Sequence, residues 1–168
     1  MSMHEIPVGE LNKYVDPWSL EKEWAIACAS DGRETNGLTI AWGGFGILWN
    51  KPTVTVYVHK TRYSKHIFDG AKYFSVCFLK AEDRKVLEYF GSVSGRDENK
   101  MAGCGREIVT DAPAPYFADS RAVILCEIMG KSDFDAGSVD EGVRAWYQRD
   151  GVHTQYYGKV VRVLVSGQ

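Results

Sequence analysis

A series of apolar and β-branched runs, each too short for a typical helix and parted by turn residues, limits this chain more than any other feature. Thr53-Val54-Thr55-Val56-Tyr57-Val58 is the clearest, because side chains of this kind suit a pleated, half-buried surface. Trp24–Ala29, Leu38–Trp42, Tyr73–Phe78, Arg121–Met129 and Tyr156–Val165 read the same way. Pro17 and the turn at Asp31-Gly32 bracket the first of them, and Gly43-Gly44-Phe45-Gly46 reads as a break in the chain. Short helices are predicted over Ser64–Ala71, with Ser64 as N-cap, over Glu82–Phe90, ended by Gly91, and over Ser138–Tyr147. In the second of these, Val86, Leu87 and Phe90 share one face. The two longest apolar runs do not alternate with helices as a βαβ unit requires. The expected fold is therefore mainly β, an antiparallel β-barrel with short helices.

At 168 residues the chain is expected to form one domain, 1–168. Its 45% hydrophobic and 12% aromatic content can build a core and excludes a disordered tail, a coiled coil and a collagen-like chain. No run of 18 apolar residues is present, and the stretch Met1–Pro7 lacks the pattern of a secretion signal. A soluble, cytoplasmic protein without membrane contact is the expectation. Cys28, Cys77 and Cys126 lie in apolar runs and read as small buried hydrophobes. Cys104, between Gly103 and Gly105, is the one expected at the surface, and no CxxC or zinc-knuckle spacing occurs.

The net charge of −2 argues against a nucleic-acid partner, but the charges are unevenly placed. From Thr35 to Phe68 there is no acidic residue, while Lys51, Lys60, Arg62 and Lys65 fall in that stretch with His59 and His66. A basic segment in an otherwise acidic chain fits one bound anion better than a polyanion track. Apolar strands exclude acids as well, so the gap alone does not prove a site.

Three segments refine the idea. In Ser94-Gly95-Arg96-Asp97-Glu98-Asn99-Lys100, Ser94 and Asp97 match a capping box. A helix start there, flanked by Arg96 and Lys100, would hold an anion. His59–His66 runs from a strand end into a helix start; Arg62 can fork onto a phosphate and Ser64 can donate. The plainer reading of this stretch is a solvated connection. Asn36 to Gly44 offers polar side chains, free backbone groups and Trp42 as a border for a flat heteroaromatic ring, although Asn36-Gly37 is also an ordinary turn signal. No nucleophile elbow, G-x-G-x-x-G loop or HExxH pattern is present, and the carboxylates of Asp133–Glu141 read as a solvated loop. An anion site and a ring site with neither nucleophile nor metal suggest that a cofactor carries the chemistry.

Trp42-Gly43-Gly44-Phe45-Gly46-Ile47-Leu48-Trp49-Asn50-Lys51-Pro52, then Arg62-Tyr63, then Ser94-Gly95-Arg96-Asp97 with Lys100, follow one another in an order that resembles the flavin reductase-like (flavoredoxin-like) proteins. Glu23-Trp24-Ala25 and the closing His153, Tyr156 and Gly158-Lys159-Val160-Val161 resemble them too, so the likeness spans about residues 18–165. The resemblance implies a Greek-key FMN-binding split barrel, usually a homodimer with flavin at the interface. By the same resemblance Asn36, Thr39, Ala41 and Trp42 would line the isoalloxazine. Arg62, Tyr63 and Ser64 would hold the phosphate end, with Ser94, Gly95, Arg96 and Lys100 as further cofactor-binding candidates, and His153 and Tyr156 on the flavin or nicotinamide side. Ala41 stands where relatives often carry Ser, so a contact there runs through the backbone. Val93 stands where they often carry His.

The function implied is an NAD(P)H-dependent flavin reductase, with FMN as cofactor, NADH or NADPH as donor, hydride passing to flavin N5, and no catalytic side chain or metal. The alternative is a non-catalytic flavoredoxin-type FMN carrier that receives electrons from a redox protein partner. A split-barrel module for another anionic ring, such as pyridoxal phosphate or haem, is a third reading.

Overall fold

The computed structural model describes residues 3–148 and 151–167. Ten strands form: β1 (Met3–Ile6), β2 (Ala25–Ser30), β3 (Thr35–Ile40), β4 (Gly43–Leu48), β5 (Lys51–His59), β6 (Tyr73–Phe78), β7 (Ile108–Val109), β8 (Tyr116–Phe117), β9 (Ala122–Asp133) and β10 (His153–Ser166). The short helices are α1 (Leu20–Glu23), α2 (Ser64–Gly70), α3 (Arg84–Ser92), α4 (Lys100–Gly103) and α5 (Glu141–Arg144), with single 3-10 turns beside some of them.

All strands except β7 and β8 join one antiparallel sheet in the order β3-β2-β6-β9-β10-β5-β4, with β1 on the far half of β10. The consecutive strands β5 and β6 stand apart, separated by β10 and β9, and α2 carries the chain between them. That long crossing is Greek-key rather than meander connectivity. Inward side chains of β2, β3, β5, β6, β9 and β10 meet in one core, with Phe45 of β4 packed against it. No ladder joins β3 to β4 among the described residues, so the barrel is split there.

Strict alternation explains why several strands read as unbroken apolar runs. Ala25, Ala27 and Ala29 of β2 point into the barrel, while Ile26 and Cys28 enter a second core under α3, α4 and β8. On β9, Ala122, Ile124 and Cys126 point inward and Val123 and Leu125 outward. Strands covered on both faces lose the polar half of their pattern. Cys28, Cys77 and Cys126 are buried and all four cysteines are free; Cys104 is half-buried, its thiol donating to the Met101 carbonyl.

Several expectations need correction. Gly43-Gly44-Phe45-Gly46 does not break the chain; it is strand, paired with β5 from Gly43↔Val56 to Leu48↔Lys51. A Cβ at Gly43 would stand 3.2 Å from the Thr55 carbonyl oxygen and 3.1 Å from Leu20, so glycine there permits close strand approach. Ser64 is not an N-cap: α2 starts behind Tyr63 without a capping side chain. Gly91 lies inside α3, which runs on to Ser92. The helix expected over Ser138–Tyr147 shrinks to Glu141–Arg144 and a 3-10 turn, Ala145–Tyr147. This segment buries none of its residues, so it lacks the packing that stabilises most helices.

Candidate functional site

The site lies where the end of β5, the start of α2, the end of α3 and the loop before α4 converge. Arg62 follows β5. Its guanidinium donates to the Gly91 carbonyl (3.0 Å) and the Phe90 carbonyl (3.2 Å), at the C-terminal end of α3 where carbonyls lack helical partners. Lys100, the first residue of α4, is only 2% exposed and donates to the same Phe90 carbonyl at 3.0 Å. Arg96 reaches across the loop to the Thr61 carbonyl (3.2 Å). Among the described residues no carboxylate pairs with Arg62, Arg96 or Lys100.

Burial, and then the charge of Arg62, lower the Lys100 ammonium to about 8. Burial also lowers Arg62, which stays charged at any ordinary pH. Buried positive charge without a counter-charge is costly, and a bound anion would remove the deficit. These cations line an anion cavity of about 190 Å³ with Thr61, Tyr63, Ser64, Ser94 and Gly95.

The loop that carries Arg96 is not a helix start. The Ser94 hydroxyl accepts the Arg96 N–H (3.2 Å) and the Ser94 carbonyl accepts the Asp97 N–H (3.0 Å), which closes a turn. The helix waits for Lys100, behind Asn99, whose side chain accepts the Ala102 N–H. The capping-box reading of Ser94 and Asp97 is therefore corrected: the side chain ties itself to the backbone two residues on. Gly95 packs against Tyr63 and Asn36; a Cβ there would strike the Tyr63 ring and lie 2.8 Å from the Asn36 amide nitrogen.

A second cavity of about 330 Å³ shares Thr61 and Arg62 with the first and is otherwise lined by Leu38–Trp42, Tyr57, His59 and His153. Thr39 lines it while its hydroxyl donates to the Leu87 carbonyl of α3. Ala41 lines it too, with no hydroxyl to offer, and Trp42, 44% exposed, stacks on Trp146 at 5.1 Å. Asn36 does not line this cavity. Buried on β3, it donates to the Ser64 hydroxyl (3.0 Å) and so orients a group of the anion cavity.

His59 and His153 meet edge to face at 4.8 Å. His59 Nε2 donates to the Gly151 carbonyl (3.0 Å), which leaves Nδ1 to accept the Thr61 hydroxyl (2.8 Å) and N–H. His153 Nδ1 lies 3.1 Å from the Tyr147 hydroxyl. Burial, and secondarily the neighbouring His59, lower His153 to about 4, so it is neutral at physiological pH. Tyr156 is not part of this cluster, against expectation. Three positions from His153 on one strand, it faces the barrel interior, fully buried, with its hydroxyl on Asp69 (2.8 Å). The sequence reading missed Tyr57 and placed His59 and Thr61 in the anion stretch His59–His66 rather than at this cavity. Tyr57 and His59 alternate with buried Val56 and Val58 on β5, which is the signal that marks them as facing outward.

The Flavin reductase like domain model matches residues 20–168, and the chain belongs to that family. Solved structures agree on the fold. Flavoredoxin from Methanosarcina acetivorans superposes with a TM-score of 0.69 at 19% identity, over 87% of this chain and 69% of that one. An FMN-binding domain of a flavin reductases-like enzyme from Shewanella baltica OS155 gives 0.70 at 15% identity, over 97% and 76%. The NADH:FAD oxidoreductase of Streptomyces globisporus C-1027, solved with NAD and FAD fragments, gives 0.65 at 18%, over 86% and 74%. No curated protein matches the sequence.

Proposed function

We propose that this protein binds FMN and acts as an NAD(P)H-dependent flavin reductase. The observation that carries the reading is the anion cavity of Arg62, Arg96 and Lys100, with no carboxylate partner among the described residues, sharing Thr61 and Arg62 with a ring-sized cavity. Bound FMN would supply the hydride chemistry that no side chain here offers. The residues fit that group. Arg62, Arg96 and Lys100 neutralise a phosphate, and the Ser64 and Ser94 hydroxyls add hydrogen bonds. Backbone at Thr39–Trp42 borders the ring. His153 lines the same cavity as a neutral imidazole, its ring placed by the Nδ1–Tyr147 hydroxyl contact. His59 is held in one tautomer by Gly151 and Thr61 and keeps that wall in place.

The reading is tested by loading the protein with FMN and adding NADH or NADPH anaerobically. Bleaching of the yellow absorption with either is the expected result. Failure to retain FMN overturns the whole reading. Retention without bleaching, but with reduction by a redox protein, assigns the carrier role instead, which the fold shared with flavoredoxin also accommodates.

We further propose a homodimer, in line with the outer edge of β4, which has no strand partner among the described residues and where Ile47 (73% exposed) and, in the turn after it, Trp49 (58%) lie exposed. Sedimentation should give twice the chain mass, and Ile47→Lys should halve it; a wild-type monomer would dispose of the idea.

A further inference from the structure

A second concave cluster of cations lies at the opposite end of α3. A cavity of about 420 Å³ is walled by Lys22, Lys80, Arg84 and Arg121, with Leu79 and Leu87 as apolar surface. Glu23 is the one carboxylate among its described lining residues. It shares no described lining residue with the two cavities at Arg62. Arg84 opens α3, whereas the Phe90 and Gly91 carbonyls that hold Lys100 and Arg62 lie near its other end, about 9 Å further along the axis.

The charge here is not balanced from within. Glu23 is taken up by Arg121. Asp83, next to Arg84 in the chain, is turned to Arg106. Among the described residues Lys22, Lys80 and Arg84 pair with no carboxylate. Three such cations on one cavity stand out in a chain whose net charge is −2, because a low-dielectric concavity lined by one sign of charge concentrates the opposite ion.

Both guanidiniums are placed beforehand. Arg121 donates to the carbonyls of Leu79 (3.1 Å) and Tyr14 (3.0 Å). Arg84 donates to the Lys22 carbonyl (2.8 Å) and lies over the Trp24 ring, 3.2 Å from its centre. Trp24 takes that position with φ of +60° and ψ of 169°, a backbone region costly for any residue but glycine. Its indole N–H is tied to the Glu21 carbonyl (3.1 Å). The strained residue is thus the one that supports Arg84, and a cation held in place before binding loses little freedom when a ligand arrives.

We infer that this cavity is a second anion site, for a small organic molecule bearing two or three negative charges, phosphorylated or polycarboxylate. Lys22, Lys80 and Arg84 meet its charged groups, and Leu79 and Leu87 meet its carbon skeleton. The volume falls in the range of small-molecule sites. The inference does not rest on the flavin reading.

The test follows the backbone amide resonances of the whole protein during titration with citrate and, separately, with pyrophosphate, with sodium chloride at equal ionic strength as control. Either probe should shift the amides of Lys22, Lys80 and Arg84 saturably, and chloride should not. The amides of Arg62, Ser94 and Lys100 report on the first anion cavity, so binding at the two places is read separately in one spectrum. Lys22→Glu, at an exposed position, should weaken binding at the first group of amides on the order of tenfold and leave the second within twofold. Tighter pyrophosphate binding assigns a phosphorylated ligand and tighter citrate binding a polycarboxylate; either supports the site. Shifts confined to the amides of the first anion cavity, or an equal response to chloride, overturn the inference, and both are read in the wild type even if the variant fails to fold. Unchanged affinity in a folded Lys22→Glu overturns it as well. A protein that binds a probe here but retains no FMN loses the flavin reading and keeps this one.

Discussion

At the scale of single residues, the site turns on Lys100. An ammonium 2% exposed with one carbonyl partner, beside the half-buried Arg62 guanidinium, is held only at a cost. That cost depends on pH. In the free protein Lys100 loses its proton through about pH 8, well below an exposed lysine. A bound phosphate restores the charged form, so the affinity for FMN should be level from pH 7 to 8 and fall above it. Lys100→Gln should flatten this slope and weaken FMN on the order of ten- to a hundredfold, the range of a lost charge-assisted hydrogen bond. Titrations at several pH values check both.

Gly95 gives a second residue-scale prediction. A methyl group there collides with Tyr63 and crowds Asn36. Gly95→Ala should lower stability by about 1–3 kcal/mol. Tyr63→Ala in the same chain should recover most of the loss in thermal unfolding, because it removes the obstacle. The identity of these residues was readable in the sequence. Their partners were not: that Lys100 and Arg62 share the Phe90 carbonyl depends on α3 ending where β5 ends.

At the scale of elements, the β4–β5 hairpin shows what pattern reading misses. Glycines suggested a break, but the ladder continues because Thr53, Val54 and Thr55 of β5 offer a partner edge. The turn itself, Trp49-Asn50, has φ of +50° and +58°, the left-handed pair that matches the twist of a two-residue hairpin. Asparagine tolerates that region and a β-branched residue does not. Asn50→Val should therefore cost about 1–2 kcal/mol, while Asn50→Gly should be close to neutral; urea unfolding distinguishes them. The outline of β6 was predicted to the residue at Tyr73–Phe78, because an apolar run bounded by turn residues leaves little choice. The segment 134–148 was overread. Its polar groups bind one another, as Asp135 does Ser138 and Arg144 does Gly137, and its aromatic contacts to Trp42 and His153 are tertiary.

At the scale of the whole molecule, the barrel couples the site to folding through His153. An unfolded histidine titrates near 6.5 and the folded one near 4. The unfolded chain thus binds more protons between these values, and stability must fall as pH drops from about 6.5 toward 4. For a half-buried side chain the loss should be on the order of 1 kcal/mol. His153→Gln should remove it from that window. The separate acid loss from Asp69, held near 2 by Lys131, Lys65 and Tyr156, should persist below about pH 4. Chemical denaturation across pH 2–7 resolves the two.

The sequence alone determined that strands dominate and that three cysteines are buried. These follow from side-chain period and polarity, which are local properties. Only the tertiary structure decided that Ser94 closes a turn rather than a helix, that Asn36 serves Ser64 rather than the ring, and that Tyr156 faces inward while His153 faces the cavity. Each depends on which distant backbone group a side chain meets once the strands have paired, and that register is fixed by burial on both faces of the sheet, not by the neighbours of a residue in the chain.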